Sequence, residues 1–129
     1  MKRWMIAVLA AIAATAACSQ KLDTVPPEIR GVWMVGSGPH AGRAFELTDK
    51  QIFLSIGEGF EIHRIREVVV AAGSDGEREY SVHYRLTDGG LDALRIYHSA
   101  ASPDEVRVHN TSNTPWHRAD RDDTPWWTP

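Results

Sequence analysis

From Ile29 onward the apolar residues recur at every second position, and helical spacing is scarce. Alternation of this kind marks strands that turn one face to a core. Ile29–Val35 is the first candidate strand. In Arg43–Thr48, Phe45 and Leu47 share one face and Ala44 and Glu46 the other. Thr48-Asp49-Lys50 turns the chain into Gln51–Ile56, where Ile52, Leu54 and Ile56 alternate. Gly57-Glu58-Gly59 is the next turn. Phe60–Ala72 is longer and its pattern slips. Phe60 and Ile62 share a face, Ile65 falls on the opposite one, and a bulge or bend near Arg64 reconciles them. Gly73–Gly76 leads into Glu77–Leu86, the cleanest alternation, with Tyr80, Val82, Tyr84 and Leu86 facing one way and Ser81, His83 and Arg85 the other. Thr87–Gly90 precedes Leu91–His98, Ser102–Asp104 precedes Glu105–Asn110, and Thr114–Arg118 closes the series.

About eight short strands at regular spacing, separated by turn residues, predict an all-β domain: a small antiparallel up-and-down barrel or a sandwich. Closure removes exposed edges, a hazard for any sheet. The expected inward set is Trp33, Phe45, Leu47, Ile52, Leu54, Phe60, Tyr80, Val82, Tyr84, Leu94, Ile96, Val106 and Val108. An eight-stranded barrel holds its own side chains or one small ligand. The bulk of this set favours a filled core with a shallow mouth. Tyr80, Tyr84 and Trp33 are the candidate ligand-binding residues, because a buried hydroxyl or indole N–H wants a partner. The other reading of the two tyrosines is packing alone.

The strands are preceded by a different kind of segment. Lys2 and Arg3 are basic, Trp4–Ala14 is an almost unbroken apolar run, and Thr15-Ala16-Ala17 leads to Cys18, the only cysteine. A basic start, a short apolar run and small residues are the parts of a secretory signal. The run is shorter than the roughly 20 residues of a membrane span. The cysteine directly after two alanines resembles the lipobox of bacterial lipoproteins, although Thr15 stands where that family prefers leucine. The resemblance implies that residues 1–17 are removed, and that Cys18 is lipidated and becomes the first mature residue. The alternative is an ordinary signal cut within Ala14–Ala16, leaving Cys18 a free thiol. Residues 18–28, polar and ending in Pro26-Pro27, are expected to be a tether. Ser19 after the cysteine is, by the same resemblance, compatible with the outer membrane. The expected location is the bacterial cell envelope, facing the periplasm.

Gly31-Val32-Trp33 in the first strand resembles the G-x-W motif of lipocalins and related calycin barrels. In those, the tryptophan closes one barrel end against a basic residue from late in the chain, which implies a closure set of Gly31, Trp33 and Arg118. Glycine permits close approach, a large ring plugs the floor, and a guanidinium can stack on it. The chain is shorter than a typical lipocalin and no helix precedes its last strand, so the likeness extends to a small calycin-like barrel over residues 29–118.

Composition narrows the function classes. Of 129 residues, 14 are basic and 17 acidic, a net charge of −3; loss of Lys2 and Arg3 makes it −5. That balance gives no footprint for nucleic acid. With Cys18 anchored, an exported domain has no disulfide and relies on its core. The six histidines, His40, His63, His83, His98, His109 and His117, form no H-x-H pair. His63 beside Glu61, and His83 beside Ser81 and Arg85, read as solvent-facing. No metal, cofactor or catalytic residue is predicted: no serine has a nucleophile-elbow context, and no glycine pair opens a helix that would cradle phosphate. Residues 119–129 form a tail with Asp120–Asp123 solvated and Trp126-Trp127 available to dock on the barrel, a partner or the bilayer. The expectation is a membrane-anchored, non-enzymatic, lipocalin-like module for a small apolar molecule. The alternative is a protein-interaction module, an accessory subunit or inhibitor of an envelope protein, using its outer face and tryptophan tail.

Overall fold

The computed structural model describes residues 19–35, 43–56, 59–110 and 114–119. Nine strands are seen: β1 Ser19–Leu22, β2 Gly31–Met34, β3 Ala44–Leu47, β4 Gln51–Ile56, β5 Gly59–Ala72, β6 Arg78–Arg85, β7 Leu91–His98, β8 Glu105–Val108 and β9 Pro115–Arg118. The helical content among the described residues is one 3-10 turn, Pro27–Ile29. The turn residues shape the hairpins. In the β5–β6 turn, Asp75 and Gly76 have φ of 56° and 78°, and Glu77 N–H donates to the Ser74 carbonyl at 3.0 Å. Two successive positive φ values make a type I′ turn, whose twist suits the flanking strands.

β2 to β9 form a closed antiparallel barrel of eight strands; β2 pairs with β9, and β5 with β6. The open choice between barrel and sandwich is thereby resolved. β5 is long enough to serve three neighbours. Its first part pairs with β4, Gln51 opposite Arg64 through Ile56 opposite Gly59. Its last part pairs with β6, Glu67 opposite His83 through Ala72 opposite Arg78. Between them the register shifts between Ile65 and Glu67, so the bulge lies at Arg66, two residues beyond the expected position.

This register corrects two side-chain assignments. Residues directly opposite in an antiparallel pair share a face. Ile52 lies opposite His63 and Leu54 opposite Glu61, so Glu61, His63 and Ile65 point inward. Phe60, expected inside, is 42 % exposed on the outer face, with Ile62 at 47 %. His63, expected in solvent, is 5 % exposed. Phe60, Ile62 and Ile65 cannot all share one face of a regular strand, and the partner strand selected Ile65.

The segment before the barrel also departs from expectation. Ser19–Leu22, expected to be tether, pairs with β5 from Ser19 opposite Ala71 to Leu22 opposite Val68. Val25 and Ile29 beyond it are fully buried. β4 does not reach the last part of β5, and β1 occupies the edge it leaves open. The chain then crosses beneath the barrel through the 3-10 turn, with Val25 N–H donating to the Asp49 carbonyl at 2.9 Å. The rest of the expected inward set lies in the core or against it, joined by Trp116, Val35, Val68 and the two buried histidines His63 and His98.

Candidate functional site

The two ends of the barrel differ, and the difference places every candidate residue. At the end where β2 begins, Gly31, Trp33 and Arg118 come together. Trp33 is fully buried and its Nε1–H donates to the Ile29 carbonyl at 3.0 Å. The Arg118 guanidinium lies 4.3 Å above the indole ring, a cation–π contact. Gly31 has φ of +121°, and a Cβ there would stand 2.7 Å from Arg118 Nη1. Only glycine meets both demands. Arg118 spends its donors on the surrounding chain: Nη1 on the Arg30 carbonyl, Nη2 on the Glu28 carbonyl at 2.9 Å, and Nε on Asp104 at 3.0 Å. One side chain thus ties the 3-10 turn, β2 and the β7–β8 loop into a lid over this end.

Tyr80 belongs to the same closed end. Its hydroxyl donates to the Glu28 carboxylate at 2.8 Å. Burial, and then the hydrogen bond to Glu28 and its charge, push the Tyr80 pKa up to about 12. His98 lies edge-on to both Tyr80 and Trp33. Its Nε2 is 3.0 Å from the Pro103 carbonyl, which can only accept, so Nε2 carries the proton. Trp33 and Tyr80 thus have their polar atoms partnered within the protein, and Tyr80 also lines a groove of about 400 Å³ with Glu28, Arg78 and His98.

Tyr84 lies toward the other end, near the β6–β7 hairpin and opposite Ile65. It stacks on His63 with ring centroids 5.2 Å apart, and His63 Nε2 donates to the Glu61 carboxylate at 2.7 Å. Burial, followed by the carboxylates of Asp92 and Glu61, raises the Tyr84 pKa to about 12. Leu54, Leu86 and Leu94 are only partly buried against the core here. Glu61, His63, Tyr84 and Asp92 thus form a polar cluster toward this end. Beneath it Ile52, Val68, Val82 and Ile96 are at 0 % exposure, so solvent does not reach the layer they form. The three residues expected to share a ligand site are thus divided between the two ends.

The rim carries a second feature. Phe60, Ile62 and Leu91, the last 61 % exposed, are the large apolar residues exposed among the described ones. All three lie toward the open end, on the outer face of β5 and at the start of β7. Cys18 and the tail, with Trp126 and Trp127, lie outside the described residues.

Sequence alone does not single out Glu28, Glu61, His63, His98 and Trp116 as site or core residues. Parity along β9 places Trp116 opposite in direction to His117, which is a usable signal. His98 likewise shares parity with Leu94 and Ile96 along β7, and the other three need the strand register or the chain crossing to place them. Among the described residues no group of three His, Cys, Asp or Glu side chains is placed to hold a metal ion. No family model, curated protein or solved structure matches the chain.

Proposed function

We propose that this chain is a lipid-anchored, non-enzymatic module of the bacterial envelope that engages a partner protein with the open end of its barrel. The observation that carries the reading is a filled barrel with Phe60, Ile62 and Leu91 exposed around the open end. Phe60 and Ile62 share the outer face of β5, and large apolar side chains exposed beside one rim are a usual sign of a contact. A carrier that encloses a small apolar molecule needs interior room, and the burial of Ile52, Val68, Val82 and Ile96 favours the partner reading over it. On the carrier reading, the ligand would be held at the mouth, against Leu54, Leu94 and Tyr84.

The anchor supports the same orientation. A lipid on Cys18 joins the barrel with no slack, because Ser19 is already in β1 beside Ala71. Ala71 adjoins the β5–β6 turn, which lies toward the closed end. That end then faces the bilayer and the mouth faces away from it.

Native mass spectrometry on protein purified from its own envelope tests this. A protein-sized mass increment, lost in the Ile62→Ser/Leu91→Ser variant at unchanged melting temperature, is expected. A small-molecule increment that survives those substitutions and is lost in Leu94→Trp would overturn the reading in favour of a carrier.

A further inference from the structure

Four cationic side chains from three parts of the chain converge on one side of the barrel. Lys50 stands in the β3–β4 turn, Arg64 and Arg66 lie at the β5 bulge, and Arg85 ends β6. With Asp23 and Ile65 they line a groove of about 410 Å³. The backbone builds it. Ile65 is opposite Tyr84 and its N–H donates to the Lys50 carbonyl at 2.8 Å, so the turn is tied to the bulge. Ile65 turns inward while both flanking arginines stay exposed.

The charge of this groove opposes that of the molecule. Four cations and one carboxylate leave an excess of three positive charges, in a chain of net charge −3. Elsewhere three arginines are matched to carboxylates: Arg95 with Glu79, Arg107 with Glu77, Arg118 with Asp104. Among the described residues Lys50, Arg64, Arg66 and Arg85 have no ion pair with a carboxylate. Gathered like charges repel, and a bound anion relieves the repulsion. Guanidinium forks present paired N–H donors suited to phosphate oxygens.

We propose that this groove binds a phosphate-bearing anion. Two sources share that chemistry: a soluble phosphate and the headgroup of an anionic lipid. A lipid attached to Cys18 would bring the second close. β1 is all that separates residue 18 from Asp23, a span of roughly 13–17 Å at strand rise. Only the choice of source rests on the lipoprotein reading; the site itself does not.

The test uses the full chain in nonionic detergent, followed through its arginine side-chain Nε–H signals in NMR. One arm adds inorganic pyrophosphate; the other adds short-chain phosphatidylglycerol, with phosphatidylcholine as the control of zero net charge. The signals of Arg64, Arg66 and Arg85 are expected to move saturably, while those of Arg95 and Arg107 stay. Arg64→Gln/Arg66→Gln should weaken binding at least about tenfold, and Arg85→Gln should act in the same direction. Tighter binding of pyrophosphate identifies a soluble anion, and tighter binding of phosphatidylglycerol over phosphatidylcholine identifies a headgroup. No movement with either probe, or equal movement at Arg95 and Arg107, overturns the proposal.

Discussion

At the scale of single residues, the closed end depends on Gly31. Its φ of +121° and the 2.7 Å approach of Arg118 Nη1 to the position of a Cβ make any side chain there both strained and in collision. Gly31→Ala should cost on the order of 1–3 kcal/mol, read as a lowered urea midpoint. A variant as stable as the parent would mean that the Arg118 stack does not hold this end together. Tyr80 and Tyr84 give a residue-scale prediction of another kind. Both pKa values are raised, to about 12, so the folded state favours the neutral phenol more than the unfolded chain does. Their contribution is therefore complete below the unfolded pKa of about 10 and is lost as pH rises from about 10 to 12. Two units correspond to at most about 2.7 kcal/mol per tyrosine. Unfolding free energy measured across that range should fall steeply, and Tyr84→Phe should make the fall shallower. A flat profile would contradict the burial of both hydroxyls.

At the scale of elements, β5 shows how one strand can carry two environments. Val68–Ala71 lies between β1 and β6, with a ladder on each edge. The first part, Gly59 to Arg64, has a ladder with β4 on one edge and pairs with no other strand among the described residues. Hydrogen exchange should follow this difference. Amides of Val68–Ala71 are expected to exchange at the rate of global unfolding, and alternate amides of Phe60–Arg64 much faster. Uniform protection along β5 would show that the first part has a partner on its other edge. The bulge at Arg66 is what separates the two parts. It lets Ile65 and Val68 both face the core although they are three residues apart, and it leaves Arg64 and Arg66 exposed beside the same groove.

At the scale of the whole molecule, the closed barrel has one capped end and one open end, and β1 fixes where the chain enters. No helix among the described residues is long and apolar enough to cross a membrane. On the lipoprotein reading, Cys18→Ser should release the protein to the soluble periplasmic fraction or leave it as an unprocessed precursor. Fractionation with immunoblotting checks this, and unchanged processing and membrane attachment would refute the anchor.

Strand positions and turns are legible in the sequence because alternation and turn chemistry are local properties. Tyr80, Val82 and Tyr84 share a face in any regular strand, and Asp75-Gly76 favours a tight turn wherever it stands. The inward direction is legible wherever one face is plainly the more apolar. That signal fails in the first part of β5, where Phe60 and Ile62 compete with His63 and Ile65. There the choice belongs to the neighbour: Ile52 opposite His63 sets the parity. The same dependence on a neighbour makes β1. Ser19–Leu22 is polar enough to pass for linker, and it is a strand because β5 outruns β4 and leaves an edge to be paired. The basic groove is beyond any local reading. Lys50, the Arg64/Arg66 pair and Arg85 are far apart in sequence, and only the bulge and the closure of β5 on β6 bring their charges to one place.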